Sequence, residues 1–319
     1  MSVRIYGGRC LRATVHSELL NALEEKRIEY KINVSAKGLT TFKAGGIIDV
    51  CILPKNKSEL VFSALTAHRL GESFTVLGRG SNTLFSDEGY GGAVILTEGI
   101  RAVEADLGTD GGLLYAECGV PLTYLTAFAA KQSLSGLEFA YGIPGSCGGA
   151  VFMNAGAYGG QMSDVVESSE YLDLDSGNIM VLEKDKHGFD YRRSAYSDSK
   201  GKMILLSVNM RLKYADSIVI EQRMQANMQA RKEKQPLEYP SAGSVFKRHP
   251  GFYMGQIIEE SGLKGFRIGG AEVSEKHAGF IINKDGATAS DIRSLINYIS
   301  DIILNRYGFT PECEIRIID

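Results

Sequence analysis

Hydrophobic residues recur at helical spacing along several stretches of the chain. The clearest stretch lies near the end of the sequence, where one helical face collects only isoleucine and leucine: Ile292, Leu295, Ile296, Ile299 and Ile303. Thr288 and Asp291 precede this face with the spacing of a capping box, and Gly308 follows it as a stop signal. Earlier helices are predicted over four further stretches: 16–30, 57–71, 122–136 and 216–235.

Short apolar runs between these helices predict β-strands. The runs before residue 120 are "DVCIL" (49–53), "FTVLG" (74–78), "AVIL" (93–96) and "LLYAEC" (113–118). Residues 170–184 alternate on both sides of a turn sequence at 175–178, which predicts a hairpin. "KMILLSVNMRLKY" predicts a long strand, and "ECEIRIID" predicts a strand that closes the chain. The mixture of short helices and strands indicates an α+β fold.

A change of composition near residue 215 divides the chain. The stretch 216–235 is strongly charged, and a second glycine-rich region follows it at 241–286. We therefore place the main domain boundary at about 215–220. This agrees with the 319 residues of the chain, a length that suits about two domains.

Charge and cysteine content exclude several classes of protein. A net charge of −3 provides no field that would attract nucleic acid or an anionic membrane. No apolar run approaches a membrane span and "MSVRIYGGRC" lacks the apolar core of a signal peptide, so we expect a soluble cytoplasmic protein. The five histidines show no ligand spacing and the cysteines are scattered, which predicts reduced thiols and no metal site. These cysteines are Cys10, Cys51, Cys118, Cys147 and Cys313.

Two glycine-rich segments contain no acidic residue. Such segments suggest that the backbone approaches a ligand closely. "VLGRGSNTLF" (76–85) runs from a predicted strand into Gly-x-Gly, where backbone N–H groups can hold phosphate. Thr83 stands where a dinucleotide-binding fingerprint needs its third glycine, so that motif fails. "YGIPGSCGGAVFMNAGAYGG" (141–160) has no formal charge at all. Together the segments fit either a large phosphate-bearing ligand or a pair of irregular loops that pack on each other.

Polar residues elsewhere leave their chemistry open. Ser241 and Ser244 flank Ala-Gly, but no nucleophile-elbow motif is present, so a nucleophilic serine is disfavoured while a proton-donating serine stays open. Arg192 and Arg193 are predicted to lie in a strand, where neighbours point to opposite faces. One of them would then face inward toward a carboxylate or phosphate, unless both form surface ion pairs. Glu314 is either an exposed acid or a site residue.

Seven segments follow one another along the chain: "TTFKAGG", "VLGRGSNTLFSDEGYGG", "GLEFAYGIPGSCGGAVFMNAGAYGG", "YRRS", "QPLEYPSAGSVFKR", "GLKGFRIGGAEVSEKHAGFIIN" and "ECEIRII". In this order they resemble the UDP-N-acetylenolpyruvoylglucosamine reductase family of bacterial cell-wall synthesis. The resemblance covers residues 40–319 and contributes little over the first forty residues. The absence of a long insertion after "YRRSAY" resembles the shorter subclass, which lacks an extra substrate-covering loop.

The resemblance implies a bipartite FAD-binding domain of the vanillyl-alcohol-oxidase type followed by a smaller α+β substrate-binding domain. The first would span 1–215, in subdomains of about 1–98 and 99–215, and the second 216–319, with its last strand returning to the active site. It implies that NADPH and FAD reduce the enolpyruvyl group of UDP-N-acetylglucosamine-enolpyruvate to UDP-N-acetylmuramate for peptidoglycan synthesis. NADPH and this sugar nucleotide would be the small-molecule substrates. We expect no nucleic acid or membrane as partner and infer no protein partner.

The resemblance also assigns roles to residues. Ser244 matches the proton donor, and Arg192 and Glu314 match the groups that stabilise the intermediate. The predicted FAD-binding residues are Gly78, Arg79, Gly80, Ser81, Asn82, Tyr141, Gly142, Ile143, Pro144, Gly145, Ser146, Gly148, Gly149, Asn154, Ala155 and Gly156. The predicted substrate-binding residues are Tyr191, Arg231, Lys234 and Arg316, the last expected on the same strand face as Glu314.

Some positions depart from the family pattern. Lys43 stands where arginine is common, and Arg248-His249 replaces a more usual Asn-Pro. Cys147 occupies the place of a small residue and is predicted to serve packing. Two alternatives remain: another flavin-dependent oxidase or dehydrogenase, and a non-catalytic flavin-binding relative. We also expect bulky side chains at three glycines, Gly145, Gly148 and Gly149, to impair flavin binding before they impair folding.

Overall fold

The computed structural model describes residues 16–319. Their helices are α1 (Ser17–Glu25), α2 (Lys57–Arg69), α3 (Leu122–Lys131), α4 (Cys147–Phe152), α5 (Ala195–Asp198), α6 (Ser217–Lys234), α7 (Met254–Glu260) and α8 (Ala289–Tyr307). Cys10 lies outside the described residues.

The strands follow the same order along the chain. They are β1 (Tyr30–Ser35), β2 (Ile47–Ile52), β3 (Phe74–Leu77), β4 (Thr83–Phe85), β5 (Tyr90–Leu96), β6 (Val103–Leu107), β7 (Gly111–Glu117), β8 (Leu134–Ser135), β9 (Gly156–Ala157), β10 (Gly160–Gln161), β11 (Val166–Asp173), β12 (Ile179–Glu183), β13 (Met203–Tyr214), β14 (Ser241–Ser244), β15 (Arg267–Ile268), β16 (Ala271–Val273), β17 (Phe280–Asn283) and β18 (Arg316–Ile318).

The chain folds into two compact units, each formed by separated segments. The first unit contains the described residues up to Ile32, together with Val50–Arg79 and Gly92–Ala230. The second unit contains Asn33–Asp49, Gly80–Gly91 and Arg231–Asp319. These units are defined by compactness, and the functional boundary near residue 215 stays a prediction.

The first unit is organised around an antiparallel sheet. Its strand order is β12-β11-β13-β7-β6, with β8 paired to the end of β13. The predicted hairpin is confirmed, since Tyr171 of β11 lies opposite Met180 of β12. The predicted long strand is β13, which pairs with β7, β8 and β11. Aliphatic residues of α1, α2 and α3 complete the core of this unit.

A parallel strand pair in the first unit brings two chain segments to one sheet edge. β3 and β5 run parallel in the sheet ordered β1-β2-β5-β3, and their registered pairs end with Leu77 opposite Leu96. The residues that follow these ends are Gly78 and Thr97. Because parallel strands end at the same edge of a sheet, both residues emerge there side by side.

The second unit has its own sheet and core. The sheet order is β14-β17-β16-β15, and α7 and α8 supply much of the buried aliphatic surface. The predicted cap of α8 is confirmed: Thr288 and Asp291 exchange side-chain hydrogen bonds with each other's backbone N–H at 3.0 Å. Gly308 ends the helix in a left-handed conformation with φ 79°. The five predicted face residues of α8 are all buried.

Three predicted elements end differently in the structure. The helix predicted over 16–30 is α1, which stops at Glu25, and Tyr30 already belongs to β1. α3 stops at Lys131 and Ser133 turns the chain with φ 56°, so the helix does not extend to Gly136 as predicted. The chain leaves the helix early because Leu134 and Ser135 pair with β13 instead. At the end of the chain only Arg316–Ile318 is a strand, and it runs parallel to β4.

Within residues 16–319, no helix has both the length and the apolar surface needed to cross a membrane.

Candidate functional site

The two glycine-rich segments meet inside the first unit. A β-carbon placed on Gly78 would overlap Ser146 Oγ and would lie 3.9 Å from Thr97 Oγ1. Ser146 Oγ also accepts a hydrogen bond from Gly149 N at 3.3 Å. We name these four residues, Gly78, Thr97, Ser146 and Gly149, the glycine cluster. Gly78 therefore lacks a side chain because the second segment occupies the space.

Hydrogen bonds hold the second segment in place beside β7. Cys147 N donates to Val120 O at 2.7 Å, and Gly148 N donates to Cys118 O at 2.8 Å. Gly148 packs tightly here, since an added β-carbon would lie 2.8 Å from Cys118 Cβ. Glycine is thus required at position 148 because a larger residue would not fit against Cys118. This finding corrects the expectation that a bulky residue at Gly148 would affect flavin binding first.

The glycine cluster fits a large phosphate-bearing cofactor such as FAD. Gly149 is exposed, so a ligand can approach its backbone closely. Thr97 Oγ1 is buried and has no hydrogen-bond partner among the described residues. A buried hydroxyl normally has a partner, so this atom is available to a ligand. Tyr141, Gly142, Ile143, Pro144 and Gly145 are all partly or fully exposed.

Predicted cofactor residues farther along the segment lie beside Arg192. Arg192 Nη2 donates to Gly156 O at 2.9 Å, and Nη1 to Asn154 O at 3.4 Å. The Asn154 side chain is used within the protein, because its amide donates to Asp190 O at 3.0 Å and accepts from Ser163 N at 2.9 Å. Ala155 is half-buried between them. Asn154 therefore connects the glycine-rich segment to the arginine turn.

Arg192 and Arg193 lie in a turn, not in the predicted strand. Asp190 and Arg193 exchange backbone hydrogen bonds of 3.1 and 3.2 Å, and Arg192 adopts a left-handed φ of 52°. Such a conformation is uncommon outside glycine and indicates local strain held by surrounding contacts. Arg193 makes an exposed ion pair with Asp198 at 2.8 Å. Arg192 is thus the arginine directed at the glycine-rich segment.

A buried polar network supports this turn. His187 Nδ1 faces Glu183 O at 3.0 Å and Lys184 O at 3.2 Å, so this nitrogen carries the hydrogen. His187 Nε2 then accepts from the Ser169 hydroxyl at 2.7 Å, and Ser169 Oγ contacts Tyr196 Oη at 2.6 Å. His187 O accepts from Ala195 N at 2.6 Å. The network therefore holds both ends of the turn that carries Arg192.

This network should make the stability of the protein depend on pH. Burial lowers the pKa of His187 below its ordinary value of 6.5, with opposing contributions from Lys184 O and Glu183 O. The unfolded chain therefore binds the proton more readily, so stability is complete above the unfolded pKa and is lost as pH falls. We expect the free energy of unfolding to decrease between pH about 7.5 and about 5.

The measurement is urea unfolding of the wild type and of His187→Gln at both pH values. The variant should be less stable at the higher pH and should lose less stability on acidification. His277→Gln is the comparison, since burial also lowers the pKa of His277. An unchanged pH dependence in His187→Gln would show that His187 is not the titrating group.

In the second unit, three chain segments meet at Glu314. Glu314 N donates to Val245 O at 2.7 Å, directly after Ser244. Asn82 Nδ2 donates to Glu314 O at 3.0 Å, and Arg316 N donates to Asn82 O at 3.1 Å. The structure thus brings together the predicted proton donor, a predicted intermediate-stabilising acid and the end of the first glycine loop. Glu314 precedes β18, so the predicted shared strand face with Arg316 is wrong.

The rest of the first glycine loop lies against residues 39–41. Gly80 has φ 58°, and a β-carbon on it would overlap Leu39 O. Thr41 N donates to Gly80 O at 3.2 Å. Ser81 is half-buried beside it, whereas Arg79, in the first unit, is exposed. The motif containing Lys43 therefore serves to position the backbone of the loop within the second unit.

The predicted substrate-binding residues occupy different environments. Arg231 is 7 % exposed and its Nη1 donates to Gln235 Oε1 at 2.9 Å, whereas Lys234 is exposed. Tyr191 is 44 % exposed, and the Arg192 guanidinium lies 5.1 Å from its ring centre. Arg316 is exposed at the start of β18. Lys234, Tyr191 and Arg316 are thus accessible, while Arg231 is mainly held by the protein.

Burial raises the pKa of the described cysteines, and His277 has a hydrogen-bond partner within the protein. Burial raises the pKa of Cys51 to about 11 and of Cys147 to about 12, so both thiols stay protonated and unreactive. His277 Nδ1 accepts a hydrogen bond from Gly279 N at 3.0 Å. Cys147 is fully buried, as its packing role requires. Among residues 16–319, no three His, Cys, Asp or Glu side chains form a metal-binding group.

Sequence reasoning missed Thr97 and the His187 network. Thr97 had a weak signal, because a polar residue directly follows the apolar run "AVIL" at the sheet edge where Gly78 also emerges. No sequence signal pointed to Ser169, His187 and Tyr196, because the contacts among them depend on strand pairing and on the turn at 190–193.

Two family models match the chain. Residues 48–183 match an FAD binding domain. Residues 235–318 match the C-terminal domain of UDP-N-acetylenolpyruvoylglucosamine reductase. The order of these matches confirms the predicted fold class, an α+β protein with an FAD-binding domain followed by a smaller second domain.

Relatives match over nearly the whole chain. UDP-N-acetylenolpyruvoylglucosamine reductase of Caldanaerobacter subterraneus subsp. tengcongensis is 42% identical over 94% of this chain and 98% of its own length. The protein of the same name from Caldicellulosiruptor bescii is 44% identical, over 93% of both chains. The crystal structure of the Thermus caldophilus reductase has a TM-score of 0.75 and 33% identity, covering 92% of this chain and 99% of that one. The chain therefore belongs to the UDP-N-acetylenolpyruvoylglucosamine reductase family.

Proposed function

We propose that this protein reduces the enolpyruvyl group of UDP-N-acetylglucosamine-enolpyruvate to UDP-N-acetylmuramate, with NADPH as reductant, in peptidoglycan precursor synthesis. It is an FAD-containing oxidoreductase. When bound, FAD supplies the hydride transfer between NADPH and the double bond. The observation that carries the assignment is the convergence of Asn82, Glu314 and the Ser244 segment in the second unit.

Ser244 is the proposed proton donor. Hydride arriving at the terminal vinyl carbon breaks the double bond and leaves an electron pair on the carbon next to the carboxylate, and one proton then completes the reduction. Ser244 lies exposed at the end of β14, where Phe280 is its strand partner. The adjacent Val245 N donates to Gly279 O at 2.9 Å, so the backbone beside the hydroxyl is fixed. A hydroxyl is a weak acid, but this carbon is a strong base.

Arg192 and Glu314 are proposed to stabilise the negative charge that develops before protonation. A guanidinium can bind a carboxylate through two parallel hydrogen bonds, and Arg192 is oriented by Gly156 O. The backbone N–H and C=O groups of Glu314 both make hydrogen bonds, so the backbone that carries its side chain is held in place. Groups held rigid before the reaction stabilise developing charge without reorganisation.

The remaining residues are proposed to bind the ligands. FAD would be held by Gly78, Ser146 and Gly149, by their neighbours from Tyr141 to Gly145, and by Gly80, Ser81 and Asn82. Tyr191, Arg231, Lys234 and Arg316 would contact the sugar nucleotide, whose phosphates and carboxylate suit cations. All proposed partners are small charged molecules, so we propose a cytoplasmic location.

The proposed function is tested with the purified protein. It should show a flavin spectrum, and NADPH oxidation should depend on the enolpyruvyl sugar nucleotide. A colourless protein that does not take up FAD would overturn the proposal. Consumption of NADPH or oxygen at the same rate without the sugar nucleotide would favour a flavin oxidase instead, and a flavin spectrum without either reaction would favour a non-catalytic relative.

A further inference from the structure

Thr97 carries a buried hydroxyl that has no hydrogen-bond partner in the part of the chain that the structure describes. The residue is 4 % exposed and follows β5 directly. Its backbone is fully used, because Thr97 N donates to Leu77 O and Thr97 O accepts from Ile100 N, both at 3.0 Å. Its Oγ1 has no hydrogen-bond partner among residues 16–319. Valine has the same shape and avoids the cost of burying an unpaired hydroxyl. The presence of threonine therefore indicates a hydrogen-bond partner outside the described residues.

The surroundings of Thr97 indicate what that partner is. A β-carbon on Gly78 would lie 3.9 Å from Thr97 Oγ1, so the hydroxyl lies in the glycine cluster, where the two glycine-rich segments meet. A β-carbon on Gly119 would overlap Thr97 O, so the backbone behind Thr97 is closely packed. A β-branched side chain has few rotamers, and the rigid backbone limits it further. The hydroxyl is therefore a positioned donor at the segments proposed to bind FAD.

We propose that the Thr97 hydroxyl donates a hydrogen bond to FAD and is a cofactor-binding residue of this protein. The inference rests on the proposed assignment of the two glycine-rich segments to FAD. The diphosphate offers the strongest acceptors on that molecule, since charged acceptors form the stronger hydrogen bonds. The hydroxyl would then gain its missing partner when the cofactor binds.

The experiment compares FAD dissociation constants of the holoenzyme and its variants, from the fluorescence of released flavin in a dilution series. We expect Thr97→Val to weaken FAD binding about tenfold, the scale of one lost hydrogen bond to a charged group. Thr97→Ser keeps the hydroxyl and should stay within about threefold of the wild type. The matched control is Thr126→Val, since the buried Thr126 hydroxyl already donates to Thr123 O at 3.1 Å.

Each outcome decides the proposal. The proposal is supported if Thr97→Val binds FAD more weakly than the wild type, Thr97→Ser and Thr126→Val do. Equal dissociation constants for Thr97→Val and the wild type overturn it, as does equal weakening in Thr126→Val, which would mark a general packing effect. Gly149→Leu tests the placement of FAD separately from the role of Thr97. If Gly149→Leu loses FAD while Thr97→Val does not, only the role of Thr97 fails. If neither variant affects FAD, the placement of the cofactor fails as well.

Discussion

Ser244→Ala should reduce turnover of the enolpyruvyl sugar nucleotide by a factor of about 10² to 10⁴, the usual contribution of a positioned general acid. Bleaching of the flavin absorbance by NADPH should proceed as in the wild type, because that step needs no proton from Ser244. Removing an exposed hydroxyl should change the stability by no more than about 0.5 kcal/mol. Stopped-flow measurement of the two half-reactions separates these effects.

Ser241→Ala is the control for this variant. Ser241 lies at the other end of β14, opposite Ile282, and its backbone carbonyl accepts the Thr41 hydroxyl at 2.6 Å. Alanine keeps that carbonyl, so Ser241→Ala should retain both half-reactions. A loss of flavin reduction in Ser244→Ala, or an equal loss of turnover in Ser241→Ala, would contradict the role of Ser244.

Neighbouring glycines of α4 should respond in opposite ways to substitution. Gly149→Leu should fold and purify with little or no flavin, because the new side chain stands on the exposed backbone that FAD is proposed to approach. Leucine also suits a helix better than glycine. Gly148→Ala should instead lose about 1–3 kcal/mol of stability through overpacking against Cys118.

The measurements are flavin content after purification and thermal unfolding by circular dichroism. At equal protein concentration, Gly148→Ala that still folds should retain more FAD than Gly149→Leu. If Gly149→Leu purified with the wild-type flavin content, the 141–160 segment would not contact the cofactor at this point. If Gly148→Ala were as stable as the wild type, the contact with Cys118 would not be tight.

Much of the fold could be predicted because its signals are local. The face, cap and end of α8 depend on residues within one helix, and the hairpin of β11 and β12 depends on alternation around one turn. The seven family segments were also recognisable as sequence, and with them the predicted roles of Ser244, Arg192 and Glu314. The exact ends of α3 and β18 were missed because pairing with distant strands decided them.

The sequence by itself thus determined the elements, the family and the residue types proposed for the chemistry. The resemblance named Arg192, but only the tertiary structure decided how this side chain reaches the glycine-rich segment, because the 190–193 turn replaces the predicted strand. It likewise separated Gly148, which packs on Cys118, from the exposed Gly149, and it left the Thr97 hydroxyl without a hydrogen-bond partner among residues 16–319. These distinctions depend on contacts between residues far apart in the chain. Such contacts exist only once strand pairing and core packing have brought the segments together.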